Sequence, residues 1–263
     1  MAEAKRSRPG SLTIVGTGIR PGLQITQEAR VRIQRADKVL YLIAEQAPTT
    51  WLHRLNASAE SMAAMYQPGR PYLDVYEETV TTLLSWVRRG LDVCAVTYGH
   101  PSVLDRSTSE AVARARAEGY RTRILPGISA QDCLFVDLEL DPGEDGFQTF
   151  DATDFLVRTR TPDVAVPLVL WQISLIGTTR VTGDVNRSGL GILAERLVEL
   201  YGPDHEVVVY ETSPFPIGMP MVERCPVSRL ADAGVTGMSS LYVPPKSKPS
   251  PDPVMMARLG ISA

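Results

Sequence analysis

LDVCAVTYGHPSV, residues 91–103, is the stretch that indicates the fold of this chain most strongly. Residues 91–96 are mostly apolar and predict a buried strand, which a glycine and a proline then interrupt. The loop after the strand also carries two polar rings, those of Tyr98 and His100. Because α/β folds bind ligands at the carboxyl ends of their strands, this loop is a candidate binding site. The alternative interpretation is an ordinary capped loop before the next helix.

A second glycine turn follows the first predicted strand, residues 11–15, and contains Gly16 and Gly18. Glycines at such a turn let the backbone bend tightly and let a ligand approach closely. The motif could also belong to a dinucleotide-binding fingerprint, with Glu45 as the acid that binds the ribose. Its third glycine, Gly22, falls one place late for that fingerprint, so dinucleotide binding is the weaker interpretation.

Two further segments place polar residues beside predicted strands. The sequence PGISA, residues 126–130, follows a strand, and Ser129 is expected to cap the next helix. Such a helix start offers free backbone N–H groups to a ligand, although an ordinary capped helix has the same sequence pattern. Gln172 is an amide within the apolar run 168–173, where it either contacts a ligand or is satisfied by the backbone.

Strands and helices alternate through the first half of the chain, which predicts a mostly parallel, doubly wound sheet. The second half has more widely spaced strands and predicts a second α/β domain with a mixed sheet. The expected strands are residues 11–15, 38–43, 91–96, 121–125, 154–157, 168–173, 206–211 and 240–243. The expected helices are residues 26–36, with Thr26 as its cap, 51–56, 74–89, 107–118, 129–137, 193–201 and 253–259. The expected domains are residues 11–126 and 127–245, between a disordered tail, 1–10, and a second tail, 246–263.

The composition argues against several classes of protein. A net charge of −3 over 263 residues gives no electrostatic footprint for nucleic acid, and no apolar run is long enough for a membrane span. The first residues lack the apolar core of a signal peptide, and three scattered cysteines indicate reduced thiols. We therefore expect a cytoplasmic protein. The three histidines lack metal-ligand spacing, and no metal is expected.

Three tyrosines and an arginine lie close together in the sequence: Tyr66, Arg70, Tyr72 and Tyr76. Tyr72 and Tyr76 are four residues apart and would share one face of a helix. Phenol and guanidinium groups in one place could bind a polar substrate and polarise it. Plain amphipathic packing of the aromatic rings is the alternative interpretation.

Taken together, these motifs resemble the tetrapyrrole methylase family, and within it the borosin-type peptide α-N-methyltransferases. The resemblance rests on the order of the glycine turn, the Tyr-Gly-His-Pro loop and the Pro-Gly-Ile-Ser-Ala segment, and it spans about residues 11–245. It implies a fold of two α/β domains with the cofactor cleft between them. It also implies a homodimer.

The cofactor that the resemblance implies is S-adenosylmethionine, with S-adenosylhomocysteine as the product. Matched position by position, the cofactor-binding residues would be Gly16, Gly18, Tyr98, His100, Val103, Leu104, Ser129, Ala130, Gln172, Tyr210, Ser239 and Ser240. The residues expected to act on the acceptor are Tyr66, Arg70, Tyr72, Tyr76 and Tyr98.

The acceptor half of the site departs from the family pattern. Similar enzymes carry an arginine at the position of Tyr72 and a tyrosine at that of Ala63, whereas Ser102 and Leu104 replace a glycine and a phenylalanine. The resemblance implies N-methylation of backbone amides in a precursor peptide. Because the sequence after residue 246 has no repetitive apolar stretch, we expect that peptide to be a separate chain. The alternatives are a methyltransferase for a small molecule, such as a tetrapyrrole, and a cofactor-binding partner without activity.

Overall fold

The computed structural model describes residues 9–43 and 49–261, so Glu45 and residues 1–8 of the expected tail lie outside the described part. Within that part the chain divides into two compact units. The first unit contains the residues up to Leu140 together with Thr178–Gly183 and Thr212–Pro220. The second contains the remainder. The domain boundary expected at residue 127 therefore falls inside the first unit, which also takes two short segments from the second half of the chain.

The first unit has a five-stranded sheet whose neighbouring strands are all parallel. Its strands are β1 (Ser11–Gly16), β2 (Lys38–Leu42), β3 (Glu60–Ser61), β4 (Asp92–Thr97) and β5 (Arg121–Ile124). The order across the sheet is β3-β2-β4-β1-β5. Since β1 pairs with β4 from Ser11↔Asp92 to Gly16↔Thr97, the loops that follow these two strands start side by side.

Five helices accompany this sheet, and side-chain caps fix the starts of three of them. The helices are α1 (Gln27–Arg35), α2 (Thr50–Leu55), α3 (Tyr72–Arg88), α4 (Arg106–Ala117) and α5 (Ala130–Asp137). Thr26 and Ser129 cap α1 and α5 as predicted, and Asp105 caps α4. Helix α3 starts two residues before the expected position, because Pro71 already has the fixed φ of −60° that suits a helix entry.

Apolar side chains cover both faces of the first sheet, which explains why its strands lack a simple polar–apolar alternation. Leu12 and Ile14 of β1 pack with side chains of α3 and α4, whereas Val15 packs with side chains of α1. All three are fully buried. At about 25 cal/mol per Å² of apolar surface, this two-sided burial is the main stabilising contribution to the unit.

The second unit has a mixed five-stranded sheet, as predicted. Its strands are β6 (Gln148–Asp151), β7 (Leu168–Trp171), β8 (Glu206–Glu211), β9 (Met221–Pro226) and β10 (Ser240–Val243), in the order β6-β7-β10-β8-β9. Only the β6–β7 pair is parallel among these described strands. The helices of this unit are α6 (Pro142–Asp145), α7 (Ala152–Val157), α8 (Arg187–Tyr201) and α9 (Pro253–Leu259).

Several sequence-based expectations for the second unit are wrong. Residues 154–157, expected as a strand, belong to helix α7, because the Asp151 side chain accepts a hydrogen bond from the Asp154 N–H and starts a helix there. Strand β7 ends at Trp171, and Gln172 follows it in a left-handed conformation with φ of 56°. Strand β9 was not predicted, since the adjacent charged residues Glu223 and Arg224 interrupt its apolar residues.

Helix α8 begins at Arg187 rather than at residue 193. Two glycines in its first turns hide the helical pattern in the sequence. One of them, Gly189, is required by packing, because a Cβ there would lie 2.8 Å from the Cβ of Ile176. Within residues 9–43 and 49–261, no helix combines the length and apolar character that crossing a bilayer requires.

Candidate functional site

The loops after β1 and β4 join each other through backbone hydrogen bonds. The Thr17 N–H donates to the Thr97 carbonyl at 2.9 Å, which extends the pairing of the two strands by one step. Gly18 and Gly99 then exchange two hydrogen bonds of 3.2 Å. The two motifs that the sequence singled out are therefore one structural element at the carboxyl edge of the first sheet.

Close backbone packing accounts for the glycines of this element. A Cβ on Gly16 would lie 2.1 Å from the Gly99 carbonyl oxygen, and one on Gly127 would lie 2.7 Å from the same atom. Gly18 has φ of +70°, and a Cβ there would lie 2.4 Å from Gln24. Close packing of the two loops therefore explains why Gly16 and Gly18 are glycines.

The loop after β4 presents apolar side chains at this edge. The His100 imidazole Nδ1 accepts a hydrogen bond from the Ser102 N–H at 3.0 Å, and its carbonyl accepts one from the Val103 N–H. This turn leaves Val103 40% and Leu104 48% exposed, and Ile128 beyond β5 is 36% exposed. Exposed apolar groups on a rigid turn suit contact with a flat or apolar ligand group.

Two hydroxyl groups at this edge differ in whether they already have a hydrogen-bond partner. Thr97 is only 4% exposed, and its hydroxyl finds no hydrogen-bond partner within the described part of the chain. A buried polar atom without a partner is costly, and a polar ligand would remove that cost. The Ser129 hydroxyl and N–H are instead both committed to the capping box with Asp132, and its carbonyl accepts a hydrogen bond from the Cys133 N–H.

The remaining predicted cofactor residues gather at one edge of the second sheet. Tyr210 and Ser240 are register partners on β8 and β10, and both are buried. The Ser239 hydroxyl accepts a hydrogen bond from the Thr236 N–H at 2.9 Å. Gln172 is exposed just after β7 rather than buried within it. Its left-handed backbone is unusual for a residue other than glycine, a feature that is common at functional sites.

The predicted tyrosine group also forms within the first unit. The rings of Tyr72 and Tyr76 stack with their centroids 6.0 Å apart and an angle of 25° between their planes. An extended segment holds the start of α3 in place: the Tyr72 N–H donates to Thr179, and Val181 donates to the Arg70 carbonyl. Sequence reasoning missed this segment, because its pairing depends on a contact more than 100 residues away along the chain.

The phenols of Tyr66 and Tyr72 stay protonated at neutral pH. Burial raises the pKa of Tyr66 well above its ordinary value, and the nearby Tyr76, Asp105 and Tyr72 raise it further. Burial also raises the pKa of Tyr72, which a backbone hydrogen bond from Thr182 partly offsets. Protonated phenols donate hydrogen bonds and do not accept protons. The structure therefore favours these two tyrosines as donors to a carbonyl oxygen.

Asp105 is a member of this group that the sequence reasoning did not find. Its carboxylate caps α4, accepting hydrogen bonds from the Thr108 N–H and the Ser107 hydroxyl. Burial raises the pKa of Asp105, and the carboxylate lies close enough to Tyr66 to raise the pKa of that phenol. An aspartate three residues before a threonine at a helix start is a recognisable cap, so a capping search could have found it.

Arg70 does not offer a free cation to this group. Its guanidinium donates to a Glu78 carboxylate oxygen at 2.7 Å and to the Met65 carbonyl at 3.0 Å. Tyr76, by contrast, lines an open cleft of about 260 Å³ between α3 and α4, together with Arg106 and the apolar Leu73. The cleft gives a substrate access to the tyrosine group. In the described residues, no cluster of His, Cys, Asp or Glu has the composition of a metal site.

Comparison with known proteins places these features in a family. A family model described as tetrapyrrole (corrin/porphyrin) methylases matches residues 11–231. The match covers both loops of the carboxyl edge, the tyrosine group and most of the second unit.

Curated proteins of fungi are similar to the whole chain. It is 38% identical over 268 residues to the methyltransferase and precursor of the ribosomally synthesized cyclic gymnopeptides of Gymnopus fusipes, covering 100% of this chain and 64% of that protein. It is 36% identical over 265 residues to the corresponding omphalotin A protein of Omphalotus olearius, covering 98% and 63%. The chain thus spans less than two thirds of the length of these relatives.

Solved structures share the fold at low sequence identity. The uroporphyrin-III-C-methyltransferase of Thermus thermophilus superposes with a TM-score of 0.64 at 20% identity, covering 90% of this chain and 93% of that one. A cobalt precorrin-4 methyltransferase of cobalamin biosynthesis superposes with a TM-score of 0.63 at 19% identity, covering 91% and 96%. These likenesses confirm the predicted arrangement of two α/β sheets.

Proposed function

Because the chain belongs to the tetrapyrrole (corrin/porphyrin) methylase family, we propose that it transfers methyl groups from S-adenosylmethionine to backbone amides of a peptide. The main support for this proposal is the short connection between the loop after β4 and the tyrosine group. The loop 98–104 at the carboxyl edge leads directly into Asp105, which lies beside Tyr66 in the tyrosine group. A donor-binding edge and an acceptor-binding group are therefore joined by one turn of chain within the first unit.

The carboxyl edge of the first sheet fits the methyl donor. Val103 and Leu104 supply apolar surface for the adenosine portion, and the unpartnered Thr97 hydroxyl supplies a buried polar contact. His100 shapes the turn between them. When bound, S-adenosylmethionine supplies an activated methyl group on a sulfonium, so the protein needs neither a metal nor a covalent nucleophile for the transfer.

The tyrosine group suits a backbone amide as the acceptor. An amide nitrogen becomes nucleophilic when it loses its N–H proton, which leaves negative charge on the carbonyl oxygen in an imidate-like state. The Asp105 carboxylate beside Tyr66 is the base in this group that would take that proton. Protonated Tyr66 and Tyr72 can donate hydrogen bonds to that oxygen and stabilise the charge. The chain must also hold the nitrogen about 3 Å from the methyl carbon, which the cleft beside Tyr76 can do for an extended peptide.

The relatives support a peptide as the substrate. Their names describe proteins that are both a methyltransferase and a precursor of a ribosomally synthesized cyclic peptide. The alignment with the first of them covers 100% of this chain and 64% of that protein. The expectation that the peptide is a separate chain remains a prediction, which an assay with added peptide tests directly.

The test is methylation of an added peptide library. The purified chain is incubated with S-adenosylmethionine and a library of apolar peptides, and tandem mass spectrometry locates each added methyl group. Methyl groups on backbone nitrogens are expected with the wild-type chain. A Tyr76→Phe variant that keeps its cofactor affinity serves as the control and should give a smaller yield. Methylation confined to side chains, or none with any peptide, would exclude the proposed acceptor.

We also propose the homodimer that the resemblance implies and the cytoplasmic location that the composition indicates. Sedimentation at several concentrations tests the dimer, since a chain that remains at the mass of a single protomer throughout would contradict it. Localisation of a tagged chain tests the compartment.

A further inference from the structure

The amino-terminal edge of the first sheet carries a cavity that the proposed reaction does not use. Its volume is about 310 Å³, and the starts of β1, β4 and β5 line it together with the last turn of α1. This edge lies opposite the carboxyl ends of the same strands, where the donor loops sit. The lining includes four arginines: Arg32, Arg35, Arg121 and Arg123.

The four arginines come from two elements that each direct a pair toward the cavity. Arg121 and Arg123 are two residues apart on β5, so their side chains emerge on the same face of that edge strand. Arg32 and Arg35 are three residues apart in the last turn of α1, so they share one side of the helix. The cavity is thus bordered by a pair of guanidinium groups from each element.

Carboxylates offset only part of this charge. Glu28 lies 2.8 Å from the Arg123 guanidinium and 3.9 Å from that of Arg32. In the described part of the chain, no carboxylate lies within 4 Å of Arg35 or Arg121. Because Glu28 and the lining Asp92 supply only two negative charges against four guanidinium groups, the cavity keeps an excess of positive charge and favours a bound anion.

Helix electrostatics explain only half of the cluster. Cations in the last turn of a helix are favoured by its dipole, which accounts for Arg32 and Arg35. No such effect places two arginines on one face of an edge strand. The other polar groups of the cavity are not alternative reactive sites. Asp92 accepts a hydrogen bond from the Ser11 hydroxyl at 2.6 Å, and burial keeps the Cys94 thiol neutral by raising its pKa to about 12.

We propose that this cavity binds a small polyanion with adjacent phosphate groups. The planar guanidinium presents paired N–H donors that match phosphate oxygens, and two pairs of arginines suit two neighbouring phosphates. A diphosphate could be free or part of a nucleotide, and both present the same chemistry to the cavity. The site does not depend on the methyl-transfer proposal, because it shares no lining residue with the donor edge.

The test is calorimetric titration of the full chain at constant ionic strength with pyrophosphate, with adenosine diphosphate and with sulfate. Pyrophosphate is expected to bind one site and sulfate to bind more weakly. The double variant Arg35→Gln/Arg121→Gln removes the two unpaired cations and should weaken binding about tenfold or more. Tighter binding of adenosine diphosphate than of pyrophosphate would assign the diphosphate to a nucleotide.

The matched control is Arg30→Gln/Arg54→Gln. It removes two exposed arginines of the same unit that do not line the cavity, and it changes the net charge equally. Its affinity for pyrophosphate should stay within about twofold of the wild type, since general electrostatic attraction alone falls with salt screening. Equal losses in both double variants, unchanged affinity in Arg35→Gln/Arg121→Gln, or no binding by the wild type would each overturn the proposal. Thermal unfolding of the variants verifies that they are folded.

Discussion

Tyr76 is the residue that the tyrosine group and the open cleft have in common. Its ring stacks on Tyr72 and also forms part of the cleft wall between α3 and α4. It lies in a different element from the loops of the carboxyl edge, which carry the expected donor contacts. A change confined to its hydroxyl should therefore affect the acceptor and leave the donor site intact.

The Tyr76→Phe variant tests that separation. We expect turnover with a peptide acceptor to fall by about tenfold or more, because Tyr76 lines the cleft that holds the acceptor, and misplacement of a reacting atom by about 1 Å can cost on the order of 100-fold in rate. The dissociation constant for S-adenosylhomocysteine should remain within about twofold, because Tyr76 lies on α3 and not on the loops that carry the expected donor contacts. Steady-state kinetics and calorimetry give the two values. A parallel loss of both would place Tyr76 in the cofactor site instead.

Asp105 combines a helix cap with a partly desolvated charge, and two variants separate these roles. Asp105→Asn keeps an oxygen that can cap α4, whereas Asp105→Ala loses it and should cost about 1 kcal/mol. Because burial raises the pKa of Asp105, the charged form is disfavoured in the folded state. The stability of the wild type should therefore fall relative to Asp105→Asn as the pH rises through that raised pKa.

Urea unfolding at pH 4 and pH 7 measures both effects of the Asp105 variants. From pH 4 to pH 7 the free energy of unfolding of the asparagine variant should rise relative to that of the wild type. The alanine variant should be less stable than the asparagine variant at both pH values. An asparagine variant that loses stability relative to the wild type at pH 7 would show that the Asp105 charge is stabilising.

At the scale of elements, the carboxyl edge depends on backbone packing between loops. Gly16, Gly99 and Gly127 meet with no room for a Cβ on two of them. The donor site is thus built on contacts between main chains, and the loops should lose their geometry together when one glycine is replaced.

The Gly16→Ala variant should destabilise the first unit and weaken cofactor binding. A Cβ 2.1 Å from the Gly99 oxygen forces one of the two loops to move, which we expect to cost about 2–3 kcal/mol. The control is Gly191→Ala in helix α8, where a Cβ meets nothing within 4 Å and should add about 0.5–1 kcal/mol of stability. Thermal unfolding compares the two. A neutral Gly16→Ala variant would mean that the loops are not packed as described.

The elements that could be predicted are those whose signals are local. The caps at Thr26 and Ser129 and the apolar strands of the first sheet follow from residue type and spacing. Strand β9 could not be predicted because charged residues interrupt its apolar pattern, and the segment that pairs with the start of α3 could not be predicted because its partner is distant in the sequence. Residues 154–157 were misassigned for a related reason: a short apolar run fits a strand as well as a helix until Asp151 is identified as a cap.

The candidate site shows the same limit. The loop motifs and the tyrosine group were found from the sequence, and the structure brings the members of each together. Arg70 was expected to act on the acceptor, but its pairing with Glu78 depends on the fold of the turn before α3 and could not be seen in the sequence. The Thr97 hydroxyl gives no sequence signal, because only burial without a partner distinguishes it from other threonines.

At the scale of the whole molecule, a buried thiol links stability to alkaline pH. Burial raises the pKa of Cys94 from its ordinary 9.0 to about 12. Below pH 9 the thiol is protonated in both states, and its full contribution to stability is present. Between pH 9 and 12 only the unfolded chain ionises, so folding loses up to about 1.4 kcal/mol per pH unit from this group.

Between pH 9 and pH 12 the Cys94→Ala variant should lose less stability per pH unit than the wild type. Its stability at pH 7 should fall by about 1 kcal/mol, because a small cavity replaces the sulfur. Urea unfolding at pH 7, 9, 10 and 11 gives the two slopes, and the buried tyrosines contribute equally to both chains. Parallel slopes for the variant and the wild type would show that the thiol ionises without unfolding.

The most direct test of the account is a calorimetric titration of S-adenosylhomocysteine into the wild-type chain and into His100→Ala. We expect the wild type to bind with one site per chain. Binding by the variant should be about tenfold or more weaker, because His100 holds the turn that presents Val103 and Leu104. Absence of binding by the folded wild type, or equal affinity of the two chains, would contradict the assignment of the carboxyl edge as the methyl-donor site.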